Sequence, residues 1–384
     1  MNQKHRQLLK NHNFIIFGED FNRHPHALEH LLRPLFSENK FIWVETIGLR
    51  SPRLSVYDLN RIFQKLLKWM KLKKTAEPAS EIPKNVHIIT PFMIPLNQYD
   101  LIRKINTISV NYCINKKMKA LHFKNIISIA SVPNAADYIG NYNEKSKIYF
   151  CVDEFSLWPG LDYKLVSKLE KLLIEKADQI IATSYALSTT KTKNNKLTSI
   201  IGHGVDFEHF NIGPKQFSDN KIKVCYFGLF DERSDQELLY NIAKSLPNVN
   251  IEIIGEVVCD ISLIKEISNI SFIGKCQYME LPSRIKDYDI FILPYKLNEL
   301  TKNINPLKLK EYLATSRLVI STPLPEVIYF KEYLKIAHNS DEFIIEILDY
   351  IKNPSAYNPQ KTIEYIRENE TWNAKALILS HLIK

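Results

Sequence analysis

Between positions 303 and 311 the chain reads Asn303-Ile304-Asn305-Pro306-Leu307-Lys308-Leu309-Lys310-Glu311, and these types in this order can hold an anion beside a pair of hydroxyls. Pro306 suits the first turn of a helix, where its missing N–H leaves nothing unpaired. Asn305 before it can cap that helix. The open amides near Asn305–Leu307 favour an anion. Lys308 adds a positive charge in the first turn, and Glu311, three residues on, shares its face. A carboxylate there can accept hydrogen bonds from ribose hydroxyls, so the run has the parts for a nucleoside diphosphate. The same residues also spell a capped surface helix carrying an ion pair, and taken alone they leave both readings open.

Other candidates stand just after apolar runs. Asp153 follows Ile148–Val152 and could take a proton from an attacking hydroxyl, as a general base must; it could equally cap a helix or brace a loop. Glu154 beside it should point elsewhere. Asp20, after Phe14–Phe17, is a rival base or a ligand for an acceptor, and His24 and His26 follow on the same loop, where either is as readily structural. Gly228 closes Lys223–Phe227, and Arg233 follows it. Glycine permits close approach of a diphosphate, and an arginine fork can pair with one, although a solvated loop arginine looks the same in sequence. Tyr278, after Ile273-Gly274, is a candidate partner for a nucleobase. His203 and Asp206 could touch a ligand or brace a hinge.

The elements that must position these residues alternate. Ten short apolar runs recur at Phe14–Phe17, Phe41–Val44, Ile126–Ala130, Ile148–Val152, Ile180–Thr183, Ser199–Ile201, Lys223–Phe227, Ile251–Ile254, Ile290–Leu293 and Leu318–Ile320. Helical periods such as Tyr163–Ala177 and Asp235–Ser245 lie between them. Strands alternating with helices imply parallel sheets in an α/β protein, and ten units exceed one open sheet. The 384 residues suit two domains. The expected division is an N-terminal domain over 1–204, a linker over 205–221 containing Gly213-Pro214, a C-terminal domain over 222–358, and terminal helices over 359–384 that pack back toward the first domain. In open α/β sheets ligands bind beyond the carboxyl ends of the strands, which is where the candidates above fall.

Composition excludes several classes. The chain has only 10 glycines, and neither GxGxxG nor GxxxxGK[ST] occurs. The five cysteines form no CxxC, and no His, Cys and Asp cluster has metal-ligand spacing, so no metal or other cofactor is expected. The opening carries no signal peptide, and no apolar stretch approaches the ~18 residues of a membrane span. The expected location is the cytoplasm, peripheral to the inner face of the cytoplasmic membrane.

With these residues in view, the chain resembles the bacterial family-4-like glycosyltransferases (glycosyltransferase group 1) of the exopolysaccharide and capsule type. Asn305-Pro306-Leu307-Lys308-Leu309-Lys310-Glu311-Tyr312-Leu313-Ala314, then Leu318-Val319-Ile320-Ser321-Thr322, resembles that family's donor-site signature. Cys151-Val152-Asp153-Glu154-Phe155 with Trp158-Pro159-Gly160 resembles its VDxFxxxPG strand end. Glu170 with Ala177-Asp178 and Ser184, and His203-Gly204-Val205-Asp206 with Phe210, match two further motifs, and the segments Glu19–Pro25 and Thr46–Leu54 resemble a subgroup. Nearly the whole chain is covered. The sequence departs from the pattern at Asn303, where many members carry a glutamate, at Ser316, usually glycine, and at Leu318, usually proline. The departure at Asn303 leaves the donor sugar and the stereochemical outcome open.

The resemblance implies the GT-B fold, two doubly wound Rossmann-like domains facing a central cleft. It implies metal-independent transfer of a sugar from a nucleotide-sugar to a lipid-linked saccharide or polysaccharide. The residues implied for donor binding are Gly228, Arg233, Tyr278, Asn303, Asn305, Pro306, Leu307, Lys308 and Glu311. Asp20 and His24 are implied at the acceptor, with Asp153 as the base. The alternatives are a non-catalytic membrane-associated scaffold or a sugar-nucleotide epimerase of the same fold.

The net charge of +9 is concentrated, since residues 45–125 hold 15 Lys and Arg against 5 Asp and Glu. Such a patch implies an anionic partner. Within it, Arg61–Lys71 places Ile62, Phe63, Leu66, Leu67, Trp69 and Met70 on one helical face and its basic residues on the other. Lys65, Lys68, Trp69 and Lys71 could thus meet an anionic membrane surface, or the helix could pack its apolar face on a core. No nucleic-acid motif accompanies the basic window, so nucleic acid is not expected as a partner.

Overall fold

The computed structural model describes residues 7–22, 26–47, 82–158, 160–192, 198–215 and 222–383. The chain divides into two compact units, Met1–Gly202 with Ala376–Lys384, and His203–Lys375.

Among the described residues unit 1 is built on seven parallel strands: β1 (Asn13–Gly18), β2 (Lys40–Glu45), β3 (Val86–Ile89), β4 (Ile126–Ala130), β5 (Ser146–Cys151), β6 (Gln179–Ala182) and β7 (Thr198–Ile200). They lie in the order β3-β2-β1-β4-β5-β6-β7. A parallel sheet is covered on both faces, so its central strands read as unbroken apolar runs; β4 and β6 are buried at every position. The covering helices are α1 (Ala27–Leu32), α2 (Asp100–Leu121), α3 (Tyr163–Lys176) and α4 (Tyr185–Lys191). Asp162 and Ser184 cap α3 and α4 by accepting backbone N–H groups of their first turns.

Unit 2 carries six parallel strands: β8 (Lys223–Phe227), β9 (Asn250–Ile254), β10 (Ile270–Gly274), β11 (Ile290–Leu293), β12 (Leu318–Ser321) and β13 (Lys335–Ile336). Their order is β10-β9-β8-β11-β12-β13. Its helices are α5 (Phe207–Phe210), α6 (Gln236–Ser245), α7 (Leu281–Ile285), α8 (Leu307–Ala314), α9 (Pro325–Ile328), α10 (Ser340–Lys352) and α11 (Gln360–Asn369). The last helix, α12 (Trp372–Ile383), begins in unit 2, and its residues from Ala376 on belong to unit 1.

In unit 1 the strand order reverses between β1 and β4, and in unit 2 between β8 and β11. At such a switch point the loops leave in opposite directions and open a crevice at the strands' carboxyl ends. All ten expected strands are present. Three more exist that the apolar runs did not reveal: β3, β10 and β13, each at the edge of its sheet. An edge strand has one side unpaired and part of each face open, so it needs no continuous apolar run. In β10, three of five residues are exposed, and β13 is two residues long.

Candidate functional site

At the switch point of unit 2, Gly228 follows β8 with φ +112°, a conformation that favours glycine. The side chain of Lys308 crosses it so closely that a Cβ on Gly228 would lie 2.1 Å from the lysine Cε. The chain again leaves no room at Gly255, after the neighbouring strand β9, where a Cβ would lie 2.0 Å from the Gly228 carbonyl oxygen. The carboxyl end of β8 is therefore a narrow backbone floor with one ammonium across it.

That ammonium is held in place. Lys308 Nζ donates to the Leu229 carbonyl (3.3 Å) and the Tyr295 hydroxyl (3.0 Å), and it lies 5.3 Å and 5.6 Å from the ring centres of Tyr226 and Tyr295. Arg233 stands on the same loop after β8, 5.6 Å from the Tyr295 ring, forked onto Asp231 through Nε and Nη2. Burial would raise the Asp231 carboxyl, but the hydrogen bonds and charge of Arg233, with Lys308 behind them, hold it below its ordinary value. Tyr295 is fully buried, which opposes its ionisation. Lys308 and Arg233 outweigh that and lower its hydroxyl, so the field at this point favours negative charge.

Lys308 stands in the first turn of α8, and Glu311 is one turn further on. Glu311 is partly buried and has no hydrogen-bonding partner among the described residues. Burial pushes its carboxyl up to about 7, with Lys308 pulling the other way. Tyr312, next to it, locks α8 to the site: its hydroxyl receives the Phe227 N–H (3.0 Å) and donates to the Phe227 carbonyl (2.8 Å) at the end of β8.

The helix start differs from the expectation in one respect. Pro306 is itself the cap residue, α8 begins at Leu307, and no side chain caps it. Asn305 is buried and turned away, accepting from Lys310 Nζ and donating to Glu326 (2.9 Å). Its role is to bolt the loop before α8, because a fully buried Lys310 recruits the nearest side-chain oxygen. Burial lowers that lysine to about 8, with Glu370 and Glu326 opposing and Lys375 reinforcing the shift. Asn303 ends a short 3₁₀ turn and donates to the Glu299 carbonyl (2.7 Å), bracing the same loop. Tyr278 stacks face to face on His209, ring centres 4.2 Å apart, and the His209 Nε2 lies 2.9 Å from the Tyr278 carbonyl. Asp206 caps α5 by accepting from His209 N, so it is a bracing residue of this stack.

In unit 1, Asp153 stands two residues beyond β5, partly buried, its carboxylate accepting the Glu154 N–H (3.2 Å). The loop is fixed from beneath. Glu154 points into a buried cluster in which Lys191 bridges it (2.6 Å) to Glu170 (2.7 Å), and Tyr149 donates to Glu170 (2.7 Å). Burial alone would lower the Lys191 ammonium, but Glu170 and Glu154 together keep it above its ordinary value. Thr183, after β6, ties on through its hydroxyl to the Val152 carbonyl (2.9 Å). Asp20 lies beyond β1, at the switch point of this sheet. His26 caps α1 from its Nδ1. Burial, then His30 and Arg33, lower its imidazole to about 4 against the pull of Asp20, so it is neutral at pH 7 and structural. His24, Lys65, Lys68, Trp69 and Lys71, with the rest of the Arg61–Lys71 segment, lie outside the described residues.

Gly228 and Arg233, close in sequence, thus meet the distant Lys308 around one pair of tyrosines. The sequence reading missed Tyr295, although it follows β11 by two residues and the strand-end rule would have included it. It also missed Tyr226 and Asp231, whose part depends on long-range packing. Among the described residues no group of three His, Cys, Asp or Glu side chains could hold a metal ion, and no helix is long and apolar enough to cross a membrane.

Two parallel Rossmann-like units with the switch-point arrangement above define the GT-B fold, and solved structures agree. The chain is similar to HepE of Anabaena in complex with UDP and glucose (TM-score 0.64, 14% identity, 96% of this chain and 98% of that one). It is similar to sucrose-phosphate synthase of Thermosynechococcus elongatus (TM-score 0.70, 12% identity, 97% and 98%) and to TarM (TM-score 0.63, 13% identity, 97% and 98%). At these identities the likeness is one of fold. In sequence the chain is similar to a protein of Bacillus subtilis (strain 168) provisionally assigned as the teichuronic acid biosynthesis glycosyltransferase TuaH, with 24% identity over 231 residues. That match spans 55% of this chain and 57% of the relative, little more than half of its length. No protein-family model matches the chain.

Proposed function

We propose that the chain is a glycosyltransferase of cell-surface glycan biosynthesis, which takes a sugar from a nucleotide-sugar bound by unit 2 and transfers it to a lipid-linked saccharide or polysaccharide. The observation that carries this reading is the site at the end of β8, where Lys308 crosses a glycine floor beside Arg233 and Glu311 offers an unshared carboxylate one turn along. Two cations on a floor of backbone suit a diphosphate, and a carboxylate without hydrogen-bonding partners suits a ribose diol. The UDP and glucose in the HepE structure and the TuaH relative support the same ligand class and pathway here.

In the transfer, the acceptor hydroxyl oxygen bonds to the anomeric carbon while the bond from that carbon to the diphosphate oxygen breaks. The hydroxyl proton passes to a carboxylate, for which we assign Asp153. The charge left on the diphosphate is met by Lys308 and Arg233, so the reaction needs no metal ion. Arg233 must then share or exchange its present partner, Asp231. The acceptor side is assigned to unit 1 near Asp20, at the inner face of the cytoplasmic membrane. The test is release of nucleoside diphosphate from a panel of nucleotide-sugars in the presence of membrane extract. Asp153→Asn should lose turnover while its nucleotide affinity stays within a few-fold of the wild type; wild-type turnover in that variant would remove Asp153 from the reaction.

A further inference from the structure

The helix α2 of unit 1 carries an apolar face that no described residue covers. A surface helix ordinarily has one apolar stripe, turned to the core. On α2 that stripe is Val110 and Ile114, with the buried Asn106 beside them. On the opposite side Leu101, Ile105, Ile108 and Tyr112 are exposed to 70%, 43%, 71% and 67%. Their spacing of four, three and four residues aligns them within about 60° of one another at ~100° per residue. Each of the four is a large side chain, and together they make one continuous ridge. Tyr99, just before the helix, is exposed as well.

The ridge does not end in neutral surface. Along the same line the C-terminal half of α2 presents Lys116 and Lys119, and Lys104 flanks the apolar half. None of these three lysines forms an ion pair with a described residue. Arg103, by contrast, is committed to Asp100 and Asp137. From Leu101 to Lys119 the face runs about 27 Å along the helix axis at ~1.5 Å per residue. The helix sits within the window of the chain that holds the whole basic excess.

We propose that this face of α2 is the surface by which the protein lies on an anionic lipid bilayer, with the apolar ridge at the depth of the acyl boundary and the lysines among the headgroup phosphates. Charge decides the occupant. A second copy packed antiparallel on the same ridge would bring Lys104 of one chain toward Lys116 and Lys119 of the other, a like-charge arrangement; parallel packing would set each lysine beside its own counterpart. An anionic interface satisfies both halves of the face at once. This assigns a surface to the membrane association proposed above, and it rests on that part of the reading only.

The test is co-sedimentation of the full-length protein with vesicles of phosphatidylcholine, with and without phosphatidylglycerol. Two variants accompany it, Ile108→Asp and the double change Lys116→Glu with Lys119→Glu. All three positions are at the surface, so the fold should tolerate them, and nucleotide binding by unit 2 serves as the control for folding. The wild type should bind phosphatidylglycerol vesicles in a salt-sensitive way and leave pure phosphatidylcholine largely unbound. Each variant should lower the partition coefficient about tenfold or more while nucleotide affinity is unchanged. Wild-type vesicle binding in both variants would place the membrane contact elsewhere and overturn the assignment. A wild type that ignores anionic vesicles yet binds nucleotide would overturn it too and leave the donor site standing. A dimer in solution that Ile108→Asp converts to monomer would give the ridge to a second copy.

Discussion

Gly228 and Lys308 show how one side chain and one missing side chain make a site. The lysine can cross the strand end only because position 228 has no Cβ, and it stays there because the Leu229 carbonyl and the Tyr295 hydroxyl receive its protons. Glu311 is the complement. Its carboxyl is raised from an ordinary value near 4.5 to about 7, chiefly by burial. The sign of the linkage follows. Between these two values the folded chain keeps a proton that the unfolded chain has lost, so stability falls as pH rises, and above pH 7 the full cost of a buried charge is present. Glu311→Gln should therefore gain stability over the wild type as pH rises from 5 to 8, by up to about 3 kcal/mol, read from denaturant melts at the two pH values. Equal gains at both would mean that the carboxyl titrates normally. Sequence made Lys308 and Glu311 legible because they sit in the first turns of a helix that follows a strand. It could not show that Asn305 turns inward to Lys310 and Glu326, since that depends on a buried lysine whose partners are remote in the chain.

At the scale of elements, each candidate loop is fixed by a contact beneath it. The end of β8 is tied to α8 by the Tyr312 hydroxyl, and the loop after β5 is tied to α4 by the Glu154–Lys191–Glu170 cluster. A buried ion pair is not by itself a large net gain, but removing one partner strands the other charges. Lys191→Ala should cost about 3–5 kcal/mol in thermal or denaturant unfolding; a loss below about 1 kcal/mol would show that Glu154 and Glu170 find other partners or protonate cheaply. The strands were legible wherever both faces are covered, because burial on two sides demands an apolar run such as Ile290–Leu293. The edge strands β3, β10 and β13 escaped because half-open positions tolerate His87, Ser271 and Lys335.

For the whole molecule, the division of labour is set by topology. Two parallel sheets, each with its own switch point, give two crevices, and the candidate donor residues gather at the one in unit 2. Asp20 and Asp153, chosen in sequence for acceptor and base, follow the carboxyl ends of β1 and β5, in unit 1. The basic excess of residues 45–125 also belongs to unit 1, whose helix α2 carries part of it. With the candidate donor residues in unit 2 and the proposed lipid face in unit 1, the two bindings should be lost independently.

The most direct measurement is calorimetric titration of the purified protein with UDP, GDP, CMP and dTDP, without added metal. The site at the end of β8 predicts saturable binding that prefers one of the nucleoside diphosphates. It also predicts a loss of about tenfold or more, the scale of a charge-assisted contact, in Lys308→Ala and in Gly228→Ala, where the new methyl would displace the lysine. No binding by any nucleotide, or binding that both substitutions leave unchanged, would contradict the assignment of unit 2 as the donor domain.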